Sequence, residues 1–269
     1  MGHGIAHAAL SAGYETRLFD VSAEALDTAR SAIDGIVARA VELGKMAADD
    51  AKAVLARLRT TARLEEAVSD VDFVIEATPE RIDVKLGVFA EVENFAPAHA
   101  VIASNTSALS ITELAGSLSE PGRAAGMHFF NPVHKMRLVE IVRALESSEA
   151  TLQTIQDVAV RMGKETVLVR ESPGFITTRV NASIGNEAFY MLMEGVASAR
   201  DIDKALKLGL NHPMGPFELV DLVGLDTRLS ILEYLHRSLG EKYRPCPLLV
   251  QYVKAGRLGK KVRRGVYDY

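Results

Sequence analysis

MGHGIAHAALSAGYETRLFD, residues 1–20, decides the fold class. Small residues at Gly2, Gly4, Ala6, Ala8 and Ala9 suit a helix pressed closely against a sheet. Gly13 stops that helix, and Tyr14–Phe19 reads as a short strand closed by Asp20. Helix, strand and terminal carboxylate in this order form the second half of a nucleotide-binding βαβ unit. Asp20 lies 18 positions after Gly2, where a carboxylate accepts hydrogen bonds from a ribose. Gly2 is expected to be the fingerprint glycine at which a side chain blocks helix–strand packing. An ordinary strand-end turn accounts for Asp20 equally well. Arg17 nearby weakens, without removing, the preference for an unphosphorylated ribose, and so for NAD over NADP.

Working outward, strand-like and helix-like runs alternate to about residue 170. A helical hairpin is expected over 23–43 and 47–58, then strands at 60–64 and 72–77. Asp72–Ala77 contains DFVIEA, an apolar run closed by a carboxylate, as in a strand buried on both faces. Pro79 is expected to start a helix reaching Phe95. HAVIASN, residues 99–105, reads as another buried strand. Ala124–Phe130 and Arg137–Val142 flank a turn containing Asn131 and Pro132. A helix near 152–162 and a strand at 165–169 complete this half. Beyond Ser172-Pro173-Gly174 the periodicity becomes helical, over 175–193, 199–210 and 217–239. The reading is therefore an α/β, Rossmann-like doubly wound sheet over 1–170 and an all-helical domain over 171–269.

The 269 residues carry a net charge of −4, with 48% apolar and 25% charged residues. That charge gives no reason to expect nucleic acid or an anionic membrane as partner. Cys246 is the only cysteine, so no intrachain disulfide forms. No apolar run approaches the ~20 residues of a membrane span, and cytoplasm is the default location. No metal site is expected.

Among seven histidines, one has an argument from spacing. His128 ends an apolar strand and Glu140 lies on the next. If the chain reverses about residue 134, positions 128 and 140 face each other on one side of the sheet. A carboxylate opposite an imidazole orients the ring and stabilises its cation. A purely structural His–Glu pair fits the same spacing.

HFFNPV (128–133), SNTSAL (104–109), EATPE (76–80) and HPMGPFELVDLVGLD (212–226) together resemble the 3-hydroxyacyl-CoA dehydrogenase family, most closely its bacterial 3-hydroxybutyryl-CoA members. The resemblance covers essentially the whole chain. It implies an NAD-dependent oxidoreductase interconverting 3-hydroxyacyl-CoA and 3-oxoacyl-CoA, with His128 as general base and Glu140 as its orienting partner. It implies that Ser107 hydrogen-bonds the reacting oxygen, that Asn131 lies near the nicotinamide, and that Glu80 and Lys85 contact the nicotinamide ribose. Without it, Glu80 and Lys85 read as charges on a helix start and its solvated face, and Ser107 as a helix cap. Thr178 stands where many relatives carry a substrate-binding asparagine in PGF-x-x-N-R. Arg39, Lys45 and Lys52 lie on the hairpin that contacts CoA in the family. In HPMGPFELVDLVGLD the prolines fix the entry to an apolar helix in which Phe217, Leu219, Val220 and Leu222 are expected to be buried; homodimerisation through the helical domain is implied by the resemblance. The tail GRLGKKVRRGVYDY reads as a solvated terminal turn, with Arg264 where relatives usually carry glycine.

In the family a strand and a G-x-G-x-M-G turn precede the position of Met1. The expectation is of a start codon placed too far downstream, and of poor NAD binding by this length of chain. Two other classes compete: a β-hydroxyacid-type dehydrogenase, which uses a catalytic lysine, and a catalytically crippled CoA-ester-binding protein.

Overall fold

A computed structural model describes all residues, 1–269. The chain folds as two compact units, Met1–Glu171 and Ser172–Tyr269.

The first unit runs α1 (Gly2–Ser11), β1 (Thr16–Phe19), α2 (Ala23–Glu42), α3 (Ala48–Ala56), β2 (Leu58–Thr61), α4 (Leu64–Val68), β3 (Phe73–Glu76), α5 (Ile82–Phe95), β4 (Val101–Ser104), α6 (Ile111–Ala115), β5 (Ala124–Phe129), β6 (Leu138–Arg143), α7 (Glu149–Arg161) and β7 (Glu165–Arg170). The α/β expectation holds, with the strands divided between two sheets. β1 and β2 form a parallel pair, and β3-β4-β5-β6-β7 form a five-stranded sheet. All neighbours in the larger sheet are parallel except β5 and β6, which are antiparallel. β1 and β3 are each an edge of their sheet. Their residues are mostly half-buried, whereas every residue of β4 and β5 is buried.

The core of this unit sits between the larger sheet and α1 and α7. Ile5 and Ala8 meet Met127, Phe129, Val139 and Ile141, with Leu152, Ile155 and Ala159 behind them. A second cluster joins Ala6 and Leu10 of α1 to Ile33, Val37, Ala51 and Val54 of the α2–α3 hairpin. Ser22 caps α2 by accepting from the Ala25 amide at 3.2 Å, as its position predicts.

Two boundaries differ from expectation. The second strand is Leu58–Thr61, because Leu64 already opens a helix. α5 begins at Ile82 and not at Pro79. There Glu76 accepts from the Thr78 amide at 2.5 Å and its hydroxyl at 2.6 Å, which holds the chain in a turn.

Glu76 is the centre of a buried polar node. Lys85 Nζ donates to its two carboxylate oxygens at 2.8 and 3.0 Å and to the Thr78 carbonyl at 3.1 Å. Ser104 Oγ, from the neighbouring strand, donates to Glu76 Oε2 at 2.6 Å. Both side chains of the ion pair are 1% exposed. β3, β4 and α5 are thereby tied at the carboxyl end of the sheet.

The second unit contains α8 (Thr177–Met193), α9 (Ala199–Gly209), α10 (Pro216–Val223), α11 (Leu225–Leu239) and α12 (Pro247–Lys254). The single helix expected over 217–239 is two helices, broken at Gly224. Its φ of 107° lies where side chains are strained, and a Cβ there would meet Asp226 at 2.8 Å. Phe217 and Val220 are buried in the core with Phe189, Leu225, Leu232 and Leu235. Leu222, expected to be buried, is 53% exposed. The terminal segment is not a solvated turn. Asp221 accepts from the amides of Val266 and Tyr267 at 2.8 and 2.9 Å and from the Tyr269 hydroxyl at 2.9 Å. Asp203 accepts from the Tyr267 hydroxyl at 2.7 Å and from the amides of Phe217 and Glu218. Arg264 stays on the surface, paired with Asp268 at 3.6 Å.

Two measurements test this description. Amide exchange should be slowest in β4 and β5 and faster along β1 and β3, whose outer edges lack ladder partners; equal protection across all four strands would contradict the two-sheet arrangement. Lys85→Met should destabilise the protein by roughly 3–5 kcal/mol, because it strands a buried carboxylate. The Glu76→Gln, Lys85→Met double variant should recover most of that loss in urea unfolding. Additive losses would show that the two side chains are not coupled.

Candidate active site

The site is built on the reversal between β5 and β6. Gly126↔Val142, Met127↔Ile141, His128↔Glu140 and Phe129↔Val139 are paired in antiparallel register. The chain therefore turns about residue 134, and His128 and Glu140 face each other as the spacing predicts. His128 Nδ1 lies 2.8 Å from Glu140 Oε2. His128 is 4% exposed and Glu140 fully buried. Phe130 lies against the imidazole, with ring centroids 4.5 Å apart. Glu140 has only acceptors when ionised, so the short bond puts the proton on Nδ1. In the neutral ring Nε2 then carries the lone pair.

The β4–α6 loop stands beside this pair at the carboxyl ends of parallel strands, where open α/β sheets bind ligands. Asn105 Oδ1 accepts from the Phe129 amide at 2.8 Å, fixing the loop to the residue after His128. Glu80 Oε1 accepts from the Thr106 hydroxyl at 2.6 Å and from the amides of Ser107 and Ala108 at 2.8 and 3.2 Å. Ser107 is half-buried and is not a helix cap; α6 is capped by Ser110, whose side chain accepts from the Glu113 amide. Asn131 is exposed on the turn after β5, where its bond to Pro132 is cis.

Several expectations need correction here. Lys85 does not stand on a solvated helix face: its ammonium is enclosed with Glu76 and lies 3.6 Å from Glu80 Oε2. Glu80 is not a solvated first-turn charge but the residue that shapes the Ser107 loop. Gly2 is not the tight glycine. A Cβ there would make an ordinary 3.8 Å contact with Leu18. The close approach is at Gly4, where a Cβ would lie 3.0 and 3.1 Å from Val133. Glu76, Ser104 and Asn105 also shape the site, and their partners lie too far away in the chain for spacing to single them out. A carboxylate ending a buried strand was the available signal for the first.

The residues present fit a dinucleotide. α1 begins without a side-chain cap and without an acidic residue in its first turn, so its first amides suit a pyrophosphate. Asp20 stands at the carboxyl end of β1, with Oδ1 accepting from the Ser22 amide at 2.9 Å. Its other oxygen makes no hydrogen bond within the chain. Arg17 is turned to Asp70 by a bidentate pair, whose second contact is 2.8 Å, and to the Glu66 carbonyl at 3.1 Å. It is thus occupied away from any 2′-phosphate.

In the second unit, Thr178 lies half-buried in the first turn of α8. Arg39 and Lys52 pair with Glu42 and Asp49 on the exposed hairpin, and Lys45 is exposed there.

Residues 1–172 match the model of the 3-hydroxyacyl-CoA dehydrogenase NAD binding domain, and residues 174–269 that of the C-terminal domain of the same enzymes. A probable 3-hydroxybutyryl-CoA dehydrogenase of Bacillus subtilis is 48% identical over 270 residues, covering 100% of this chain and 94% of the relative. A 3-hydroxybutyryl-CoA dehydrogenase of Bradyrhizobium diazoefficiens is 44% identical, covering 100% and 92%. The crystal structure of (S)-3-hydroxybutyryl-CoA dehydrogenase from Ralstonia eutropha superposes with a TM-score of 0.96 at 39% identity, covering 100% of this chain and 95% of that one. The chain belongs to the 3-hydroxyacyl-CoA dehydrogenase family.

Proposed function

We propose that this protein interconverts (S)-3-hydroxyacyl-CoA and 3-oxoacyl-CoA, with the four-carbon 3-hydroxybutyryl-CoA as its preferred substrate. The observation that carries the reading is the 2.8 Å His128–Glu140 bond at a strand end. Bound NAD supplies the hydride acceptor at C4 of its nicotinamide. His128 Nε2 takes the proton of the 3-hydroxyl. Glu140 holds the ring in that tautomer and stabilises the imidazolium that forms. Ser107 donates to the reacting oxygen and steadies the developing carbonyl. Thr178 serves the acyl-CoA with one hydroxyl in place of the family's asparagine. The Gly2 and His3 amides at the start of α1 receive the pyrophosphate, Asp20 the adenosine ribose, and Asn131 the nicotinamide side. Glu80 acts through the backbone of the Ser107 loop, and Lys85 through Glu76, as positioning residues.

The protein works as a cytoplasmic homodimer through its helical unit. Ile176, Val180, Leu208, Leu210, Leu222 and Val223 are exposed there, apolar side chains that a second copy would cover. No helix is long and apolar enough to cross a membrane.

Oxidation of NADH by acetoacetyl-CoA tests the reading. His128→Asn should lower kcat by about 10²–10⁴ with little change in NADH affinity. Glu140→Gln should lower kcat while leaving KM for the acyl-CoA nearly unchanged. Full activity in His128→Asn would overturn the assignment, and loss of activity only in a lysine variant would favour the β-hydroxyacid class.

A further inference from the structure

The outer side of α1, below the first-turn amides assigned above to the cofactor, borders a separate basic cleft. It has a volume of about 330 Å³ and is lined by His7, Ser11, His134, Lys135, Arg161 and Lys164 among others. His7 comes from the second turn of α1, His134 and Lys135 from the turn between β5 and β6, and Arg161 from the end of α7. The His7 and His134 rings meet edge to face, with centroids 6.4 Å apart. His7 Nδ1 is buried and has no hydrogen-bond partner.

The cations are held in place by the backbone. Lys164 Nζ donates to the carbonyls of Val133 and Met136 at 2.5 and 2.9 Å. Arg161 Nε donates to the Ala12 carbonyl at 3.1 Å, and its guanidinium lies 4.3 Å over the Tyr14 ring. No carboxylate lines the cleft. The neighbouring Glu165 is paired with Arg137 at 2.5 Å, and Lys135, Arg161 and Lys164 have no ion-pair partner. A chain with a net charge of −4 thus gathers His7, His134, Lys135, Arg161 and Lys164 around one concavity. That arrangement raises the local concentration of anions and offers several convergent donors.

We propose that this cleft binds a phosphate group, with His7, His134, Lys135 and Arg161 as its donors. The number and spread of donors suit a compact dianion with several acceptor oxygens better than a single carboxylate. Electrostatics agree. Burial, then the positive charges of His134, Lys164 and His3, hold the His7 pKa below its usual value. Burial, with Lys135 and Lys164, does the same for His134. Burial alone lowers Lys164. A bound dianion relieves these repulsions. Without it, folded His3, His7 and His134 resist protons that the unfolded chain accepts below about pH 6.5. Their contribution to stability is therefore complete above that pH and is lost as the pH falls.

The probe is inorganic phosphate, titrated into the full chain while the histidine ring resonances are followed by NMR. Adenosine 3′,5′-bisphosphate forms a second arm. Sulfate, a dianion throughout, separates the protein's titration from that of phosphate. The His7 and His134 signals should shift saturably and their pKa values should rise. His134→Gln, Lys135→Ala should weaken binding about tenfold or more, since two charge-assisted bonds are removed. Arg161→Gln should weaken it separately. Saturation by phosphate alone identifies a free ion as sufficient; saturation only by the bisphosphate means that the group arrives on a larger molecule. Absence of saturable shifts with either, or equal binding by the double variant with its fold intact, would overturn the proposal. Dehydrogenase activity is not the readout, so failure here leaves the assigned chemistry untouched.

Discussion

The antiparallel pairing of β5 with β6 is the constraint on which the site depends. It is the one antiparallel step in an otherwise parallel sheet. A parallel crossover would carry the chain away over a helix. A tight reversal instead places His128 and Glu140 opposite each other, with side chains on one face. Neither residue can move without disturbing a ladder in which every β5 residue is buried. A base held this way keeps its tautomer, and a catalytic proton acceptor requires that.

The loops around the pair are held by carboxylates. Glu76 gathers Lys85, Thr78 and Ser104 beneath the strand ends. Glu80 gathers the hydroxyl and amides of residues 106–108. Glu76 is buried and meets several donors, so the cost of burying it is offset by hydrogen bonds; Glu80, 43% exposed, holds its loop from the surface. The Ser107 loop is thereby fixed before any ligand enters, which is the condition for preorganised catalysis.

How much of this was legible follows from how far apart the partners lie in the chain. The His128–Glu140 pair was legible because one short turn fixes its register by arithmetic. The α/β class was legible from small residues on the first helix and from continuously apolar strands. The Glu76 node was not, because Ser104 lies 28 residues away on a strand whose neighbour is set by topology alone. Lys85 and Glu80 were placed by resemblance as ligand contacts, and only burial and hydrogen bonding reveal what they hold. The glycine in close contact is Gly4, half a helical turn beyond Gly2, because which of the two meets Val133 depends on tertiary packing. The break at Gly224 was missed because apolar periodicity continues across it.

The most direct test is the tautomer of His128, read from the nitrogen chemical shifts of its ring above the pH of its titration. The account predicts a hydrogen on Nδ1, shared with Glu140, and an unprotonated, pyridine-type Nε2. A ring with its hydrogen on Nε2 could not accept the substrate's proton there, and would contradict the account at its centre.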